Sequence, residues 1–506
     1  MKRKPRIGII GAGPGGLAAA MLLARRGLDV TMLERADREG GRNGWLKQSG
    51  YTFDIGPTFF MMPFVLEEIF EECGRRLSDC VDLRPLEPFY HLTHADGTVF
   101  TPSGVPERMR EAIGRIHPPD AAGYDRYRPY HEAKTQAILP CLSQPYDRLY
   151  HVLKKPLLKA IPHLSLTRTV WEELGLFFAD NRVKIGFTFQ SKYLGMSPYA
   201  CPGLFSILAY TEQKWGIFHP IGGCNALSLA MGKLARELGA AIHLNTDVKE
   251  IVIENRRARG VLLANGERAD FDEIIMNADF AWGMRHLIPN ALRRKYTDEN
   301  LDRKRYSCST FMMYLGVDRR YDHLAHHNIY ISGDYRGNLE DIETRGHLSE
   351  DPSFYVQNAS VTDASLAPAG HSTIYVLVPV PNGQKSLDWS TVKGPFRERI
   401  LNKLRTRAGM ADIENHIRFE RVITPDDWQS DMRVGYGAVF NLGHNVTQML
   451  MFRPHNRFEE FQNMWLVGGG THPGSGLPTI YESGKITAAG ICRKHGIPWK
   501  DSGRMP

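Results

Sequence analysis

The chain has 506 residues, room for two to three domains and a large core, and its 42% hydrophobic and 24% charged residues are those of an ordinary globular protein. A net charge of +7 is not gathered into a basic stripe or a recognisable binding module, which excludes a nucleic-acid partner. Residues 6–10 read as a buried strand running straight into Gly11-x-Gly13-x-x-Gly16, with a helix predicted over 14–26 and a second strand over 29–34. Gly11 permits the tight turn, Gly13 lets backbone approach a pyrophosphate, and Gly16 lets the helix pack close on the strand; Ala12 and Gly15 complete the loop. The helix N-terminus offers free N–H groups and positive dipole to phosphates. Glu34, 23 residues after Gly11, is placed to accept hydrogen bonds from a ribose hydroxyl. Together these define a dinucleotide site. The opening Met-Lys-Arg-Lys imitates a signal peptide, but six glycines between residues 8 and 27 and Pro14 would make a poor spanning helix. Neither an export signal nor a transmembrane segment is expected.

Gly40-Gly41-Arg42 and Gly56-Pro57-Thr58 follow the acidic residue. A nicotinamide cofactor has no need of a second Gly-Gly-Arg, whereas a flavin held along its whole length needs further backbone approach and a positive charge. Residues 145–166 interleave leucines, aromatics and Lys154, Lys155 and Lys159, broken by Pro156 and Pro162. That pattern suits an element lying on an anionic membrane surface, or equally a surface helix with a solvated basic face. Residues 223–239 read as an amphipathic helix closed by Gly239. A strand meander starting at 242 turns at 254–257 and again at Asn265-Gly266, and an apolar strand follows over 273–278. Val248, at the head of the meander, joins the expected cofactor-binding set. Near the C-terminus, Met464-Trp-Leu-Val-Gly468-Gly469-Gly470-Thr-His-Pro-Gly474-Ser-Gly476-Leu477-Pro478 is again strand, glycine loop and helix start, with backbone N–H groups free to face a flavin ring edge. The cofactor expected is FAD. The nucleotide domain is expected from 1–90, 216–300 and 440–506, with 91–215 and 301–439 forming a second domain over the flavin.

Seven cysteines, at 73, 80, 141, 201, 224, 308 and 492, contain no CxxC pair, which argues for free thiols in a reducing cytoplasm and against a disulfide framework or zinc site. His326-His327 is not read as a metal site, because adjacent strand positions point apart and no carboxylate is spaced to join them. No metal is expected.

With these motifs in hand, the chain resembles the bacterial carotenoid desaturases of the phytoene and diapophytoene type, within the larger flavin amine oxidase-like group. Gly216-Ile-Phe-His-Pro220-Ile-Gly222-Gly223, Tyr306 to Gly316, Thr362 to Gly370, Tyr375 to Asn382 and Gln448 to Asn456 are similar to family blocks, so the resemblance covers essentially the whole length. It implies an α/β fold: a Rossmann-like FAD-binding domain of the glutathione reductase-like, two-dinucleotide-binding type with a discontinuous α+β substrate domain. The implied cofactor contacts are Gly11, Ala12, Gly13, Gly15, Gly16, Glu34, Gly41, Arg42, Gly56, Pro57, Val248, Gly469, Gly470, Gly476, Leu477 and Pro478. The implied reaction removes a hydride and a proton from an allylic CH2–CH2 unit of a C30 or C40 polyene, with flavin taking the hydride. Phe59, Phe60 and Met62, with Met61 and Phe64, are candidates for an apolar tunnel wall. A polyene lives in the bilayer, so 145–166 becomes the expected contact with the cytoplasmic face of the membrane. Catalytic side chains stay unassigned: Asp54 is read as a loop tie and Glu482 as a remote candidate proton acceptor. Tyr481-Glu482 departs from relatives that carry small or apolar residues there. That motivates a rival, a carotenoid oxidase acting on a terminal methyl group. A saturase or isomerase, a prenyl-binding chaperone of the Rab GDP-dissociation inhibitor type and a soluble amine oxidase complete the alternatives.

Overall fold

The computed structural model describes residues 3–385 and 387–499. Apolar runs at the N-terminus, in the middle and near the C-terminus converge on one parallel sheet of strands β1 (Arg6–Ile10), β2 (Asp29–Leu33), β3 (Ala241–His243), β4 (Glu273–Met276) and β5 (Met464–Leu466). Its order is β3-β2-β1-β4-β5, with every neighbour parallel. Alternation then divides each strand between two cores. Ile7, Ile9, Val30, Met32 and Ile275 face helices α1 (Pro14–Arg25), α2 (Asn225–Glu237) and α3 (Leu477–Lys494), while Ile10, Ile274, Met276, Met464 and Leu466 face the meander at 248–263. Helix α1 is buried from Pro14 through Ala24, so it lacks the polar stripe of a surface helix. Its small residues let α3 cross closely: a Cβ on Gly484 would stand 2.5 Å from Gly15 O.

Boundaries differ from expectation by one or two residues. Helix α1 stops at Arg25, and β2 stops at Leu33, although Glu34 N still donates to His243 O at 2.9 Å. The predicted 223–239 helix is α2, because Gly222 and Gly223 are spent on the preceding turn. The 254–257 turn places Asn255 and Arg256 at φ 51° and 61°, the twist a two-residue hairpin requires.

A mixed sheet stands opposite, in the order Ile417–Ile423, Ser309–Val317, Ser372–Val380, Phe354–Gln357, His327–Tyr330, His91–Thr93, Val99–Phe100. All its pairs are antiparallel except His327–Tyr330 against His91–Thr93. The strand Ser309–Val317 is buried at every position, since both faces are covered. Phe311, Met313 and Leu315 pack on Phe396, Ile400 and Leu404 of the helix Trp389–Arg407, while Met312 and Tyr314 pack on Tyr51 and Phe53 of the hairpin Trp45–Asp54. The carboxyl ends of β1, β2, β4 and β5 therefore look across at the mixed sheet, and the cavity lies between them. Among the described residues no helix is long and apolar enough to cross a membrane.

Candidate active site

A cavity of about 520 Å³ gathers the glycine loops. Gly11, Gly13, Glu34, Gly41, Arg42, Gly56, Pro57, Val248, Gly469, Gly470, Gly476, Leu477 and Pro478 all line it, although they come from segments hundreds of residues apart. Gly11 takes φ +93°, which lets β1 turn into α1, and its N–H still donates to Leu33 O at 2.8 Å. Helices α1 and α3 both start on this cavity, at Gly13 and Gly476, and neither cap carries a side-chain hydrogen bond. Two open helix N-termini facing one space suit an anionic, extended ligand.

Not every expected contact is on the wall. Ala12, Gly15 and Gly16 lie behind it. A Cβ on Gly15 would meet Val467 Cγ1 at 2.4 Å and one on Gly16 would meet Gly11 O at 2.7 Å, so both glycines serve close packing. Ala12 acts through its N–H, which donates to Glu34 Oε2 at 2.7 Å, while Ala36 N donates to Glu34 Oε1 at 2.8 Å. The Glu34 carboxylate is thus a tie between two loops as well as an acceptor facing the cavity.

The tunnel candidates divide by strand period. Phe59 and Met61 line the cavity; Phe60 and Met62 do not, because successive residues point to opposite faces and these two enter the core beneath α1 and α3. Phe64 packs on Trp215, ring centroids 5.1 Å apart. Tyr481 and Glu482 are likewise turned away: Leu477, Pro478 and Ile480 face the cavity, Tyr481 is buried in the core, and Glu482 lies within the field of Lys485 and Glu68. Burial pushes the Glu482 carboxyl up to about 7. The departure that motivated an oxidase therefore does not touch the cavity. Asp54 also sits off the wall, taking backbone hydrogen bonds from Cys224 and Asn225 at the start of α2, and burial lifts its carboxyl to about 7.

Several site residues carry no motif. Asn277, following β4, donates from Nδ2 to Gly11 O at 2.9 Å and pins the first glycine turn. Arg42 Nη1 donates to Val439 O at 2.9 Å and faces Asp279 Oδ2 at 3.3 Å. The Asn441 amide links that pair, its nitrogen 2.8 Å from Asp279 Oδ2 and its oxygen 2.9 Å from Arg42 Nη2. Burial raises the Asp279 carboxyl and Arg42 opposes the rise. Arg433 clasps Asp247 with two bonds of 2.6 and 2.8 Å, and both line the cavity. A polar cluster backs Phe59: Tyr355 Oη lies 2.9 Å from Thr58 Oγ1 and 2.7 Å from His327 Nδ1, and Phe59 stacks on His327 at 4.0 Å. Burial holds His326 and His327 well below the usual imidazole range, so both are neutral. Among the described residues no three His, Cys, Asp or Glu side chains cluster as metal ligands.

Two uncapped helix N-termini, a glycine-lined backbone floor and an acid beside the first of them suit an FAD, which Glu34 would hold by a ribose hydroxyl and the Gly469, Gly470 and Gly476 backbone would face from the other end of the cavity. The fold and the site define an FAD-dependent oxidoreductase.

Residues 14–492 match the family described as flavin containing amine oxidoreductase. Over 501 residues the chain is 46% identical to a 4,4′-diapophytoene desaturase (4,4′-diapolycopene-forming) of Methylomonas sp, covering 99% of this chain and 98% of that protein. It is 40% identical to an all-trans-zeta-carotene desaturase of Myxococcus xanthus, covering 96% and 93%. In three dimensions it is similar to an oxidoreductase from Methanosarcina mazei, with TM-score 0.61 at 15% identity over 96% of this chain and 100% of that one, a likeness of fold. The chain belongs to the carotenoid desaturase family, within the flavin amine oxidase-like superfamily.

Proposed function

We propose that the protein removes hydrogen pairs from allylic CH2–CH2 units of a C30 polyene of the 4,4′-diapophytoene type, introducing double bonds into the chain. One observation carries the reading: the glycine-lined cradle opens, within one cavity, onto a wall of Phe59, Met61, Phe189, Ile329, Ile331 and Leu339. A hydrocarbon held against that wall has its neighbours chosen by shape and apolar contact, while a reacting C–C bond meets the cofactor away from water. Bound FAD accepts the hydride, and the protein contributes binding, orientation and exclusion of water. Choice of the C30 chain length follows the 46% identical relative, whose name carries that substrate.

The substrate would be drawn from the cytoplasmic face of the membrane, to which the protein is peripheral. Support comes from 145–166, folded as short helical turns over Leu149–Leu153 and Lys155–Ala160. Leu157, Ala160 and Leu164 hold the segment to Ile138, Cys141 and Ile207, leaving Leu149 73%, Tyr150 61%, Leu153 69% and Ile161 55% exposed beside Lys155 and Lys159. Leu450 and Met451 pack on the same cluster, and Phe452 beside them is 56% exposed.

The test is the mass of the pigment. Expression in cells that accumulate 4,4′-diapophytoene or phytoene should yield products lighter by successive hydrogen pairs, and more readily from the C30 precursor. Products heavier by oxygen would overturn the reading in favour of an oxidase; unchanged mass would point to an isomerase.

A further inference from the structure

Beside Phe59, the cavity wall carries a phenol bonded to a buried carboxyl outside the cavity. Tyr193, on the turn Phe189–Leu194, lines the cavity with Phe59 and Phe189 around it, ring centroids at 5.3 and 5.9 Å. Its Oη donates to Glu212 Oε1 at 2.7 Å. Glu212 is 1% exposed and does not reach the cavity. Its second oxygen accepts from Tyr90 Oη at 3.1 Å and Gln190 Nε2 at 3.0 Å. The helix Ile207–Trp215 that bears it packs against the turns Gly203–Ser206 and Phe189–Leu194, the strand Phe60–Met61 and the helix Pro118–Leu142. The titratable groups facing Glu212 from those elements are Tyr193 and Tyr127, with Tyr90 from the loop before His91; no cation acts on it among the described residues. A carboxyl without a cation in so apolar a place is costly to ionise, and burial lifts it to about 7. Burial also holds the Tyr193 phenol well above its ordinary range, so it stays protonated.

We infer that Tyr193 and Glu212 form the proton-accepting relay of the desaturation, Tyr193 as the group that touches the polyene and Glu212 as its buried acceptor. The inference rests on the desaturase reading above. With FAD bound as the hydride acceptor, removal of a hydride would leave an allylic cation on the polyene. The adjacent carbon's C–H bond then breaks, its electron pair becoming the new π bond. Its proton passes to Tyr193 Oη while the phenolic proton passes to Glu212 Oε1, converting carboxylate to carboxylic acid. The proton returns by the same path once product has left. A C–H beside a cation is acidic enough for so weak a base. A carboxyl poised near 7 is ionised often enough to begin each cycle and weak enough as an acid to hold the proton.

The experiment uses FAD-loaded enzyme with 4,4′-diapophytoene in liposomes, comparing wild type with Tyr193→Phe and Glu212→Gln, each close to isosteric. Expected are losses in kcat of about 100-fold or more with KM within about twofold, the range of a positioned general base. Wild-type kcat/KM should rise with pH through about 7, a limb that Glu212→Gln abolishes. A readout without turnover is infrared titration of the carboxylic C=O band. Asp54, Glu212 and Glu482 should all contribute near 7 in wild type; Glu212→Gln should remove one of these components and Tyr193→Phe should shift that same component. Retention of kcat within about twofold in both variants, or a signal near 7 that Glu212→Gln leaves unchanged, would overturn the relay while leaving the desaturase reading intact. Wild-type enzyme that binds the polyene without losing mass from it would overturn the desaturase reading itself.

Discussion

Arg453 Nη2 donates to Gly469 O at 2.6 Å, and the guanidinium that does so is wholly buried. Nη2 also reaches Leu442 O, while Nε and Nη1 reach the carbonyls of Thr471, Gly443 and Gln448, all at 3.1 to 3.4 Å. No carboxylate is among these partners; burial draws the group down to about 9, and the carbonyl dipoles hold the charge in place. Arg453 is thus the post on which the last glycine loop is strung, and it sets the Gly469 backbone that lines the cavity.

Arg453→Met should therefore unfold the loop, leaving the carbonyls of Leu442, Gln448, Gly469 and Thr471 without their donor, while Gly443 O keeps Gln448 Nε2. The expected loss is about 3–5 kcal/mol, the cost of breaking a buried charged network. Thermal unfolding with and without added FAD should show the variant melting lower in both states and gaining less from the cofactor. Equal FAD stabilisation in wild type and variant would mean that the loop is set by other contacts.

Glu34→Ala removes the acceptor of two backbone N–H groups as well as a carboxylate that lines the cavity, where it would accept from a ribose hydroxyl. Hydrogen bonds to charged groups are worth about 1.5–3 kcal/mol, so FAD affinity should fall by about 10- to 100-fold and the apoprotein should lose about 1–2 kcal/mol of its own stability. Fluorescence titration with FAD and urea unfolding of apoprotein measure the two separately. The motif alone predicts only the first effect; the second follows from the bonds to Ala12 and Ala36.

How far such features can be read from sequence depends on whether they are local. Glycine loops and Glu34 were readable because each is a contiguous turn joined to its own strand. Phe60 and Met62 were not separable from Phe59 and Met61 until the strand's phase was known. Tyr481 and Glu482 stand inside a cofactor motif, yet helical rotation carries them away from the cavity. Glu212 has no motif at all: its partners come from Tyr90, Gln190 and Tyr193, which only folding brings together. Arg453 was visible as part of an Arg-Pro-His-Asn run, but its burial depends on carbonyls from three separate loops.

Asp54, Glu212 and Glu482 are all lifted to about 7 by burial, above the ordinary values of 3.8, 4.5 and 4.5. A carboxyl with the higher value in the folded state holds more protons folded than unfolded between those limits. Stability then falls as pH rises through that window and levels off above about 7. Glu482→Gln keeps the shape and removes one of these charges. Calorimetry should show its Tm above wild type by about 2–4 °C at pH ~8 and level with it at pH ~5. The same difference at both pH values would assign the effect to packing instead of ionisation.

Gly484 tests the crossing of α1 and α3. An added methyl would stand 2.5 Å from Gly15 O and 2.9 Å from Ala18 Cβ, and neither neighbour is the end of a flexible chain. Gly484→Ala should cost about 1–3 kcal/mol or more through overpacking, despite alanine's better helix propensity. Because Gly15 follows directly on the cavity-lining Gly13 and Pro14, weakened FAD retention on gel filtration should accompany the lower Tm. A stable variant with full FAD content would show that the two helices can separate without disturbing the site.

The exposed leucines at 145–166 bear on the proposed delivery of a polyene to the cavity from a membrane surface. Leu149 and Leu153 are 73% and 69% exposed, although a leucine gains about 1.5–3 kcal/mol on leaving water. Their neighbours Leu157 and Leu164 are already used to anchor the segment, so exposure here is not a failure of packing. Lys154, Lys155 and Lys159 on the same turns add about 1 kcal/mol each near an anionic surface, and that contribution is screened by salt. Two variants separate the apolar and electrostatic contributions. Leu149→Asp with Leu153→Asp should abolish sedimentation with vesicles at any salt concentration. Replacing the three lysines with glutamine should weaken binding to anionic vesicles by about 100-fold at low salt and leave neutral vesicles unaffected. In both, desaturation of substrate delivered in detergent should persist, since neither set of residues lines the cavity. Undiminished vesicle binding by the double aspartate variant would overturn the proposed role of 145–166 as the membrane contact.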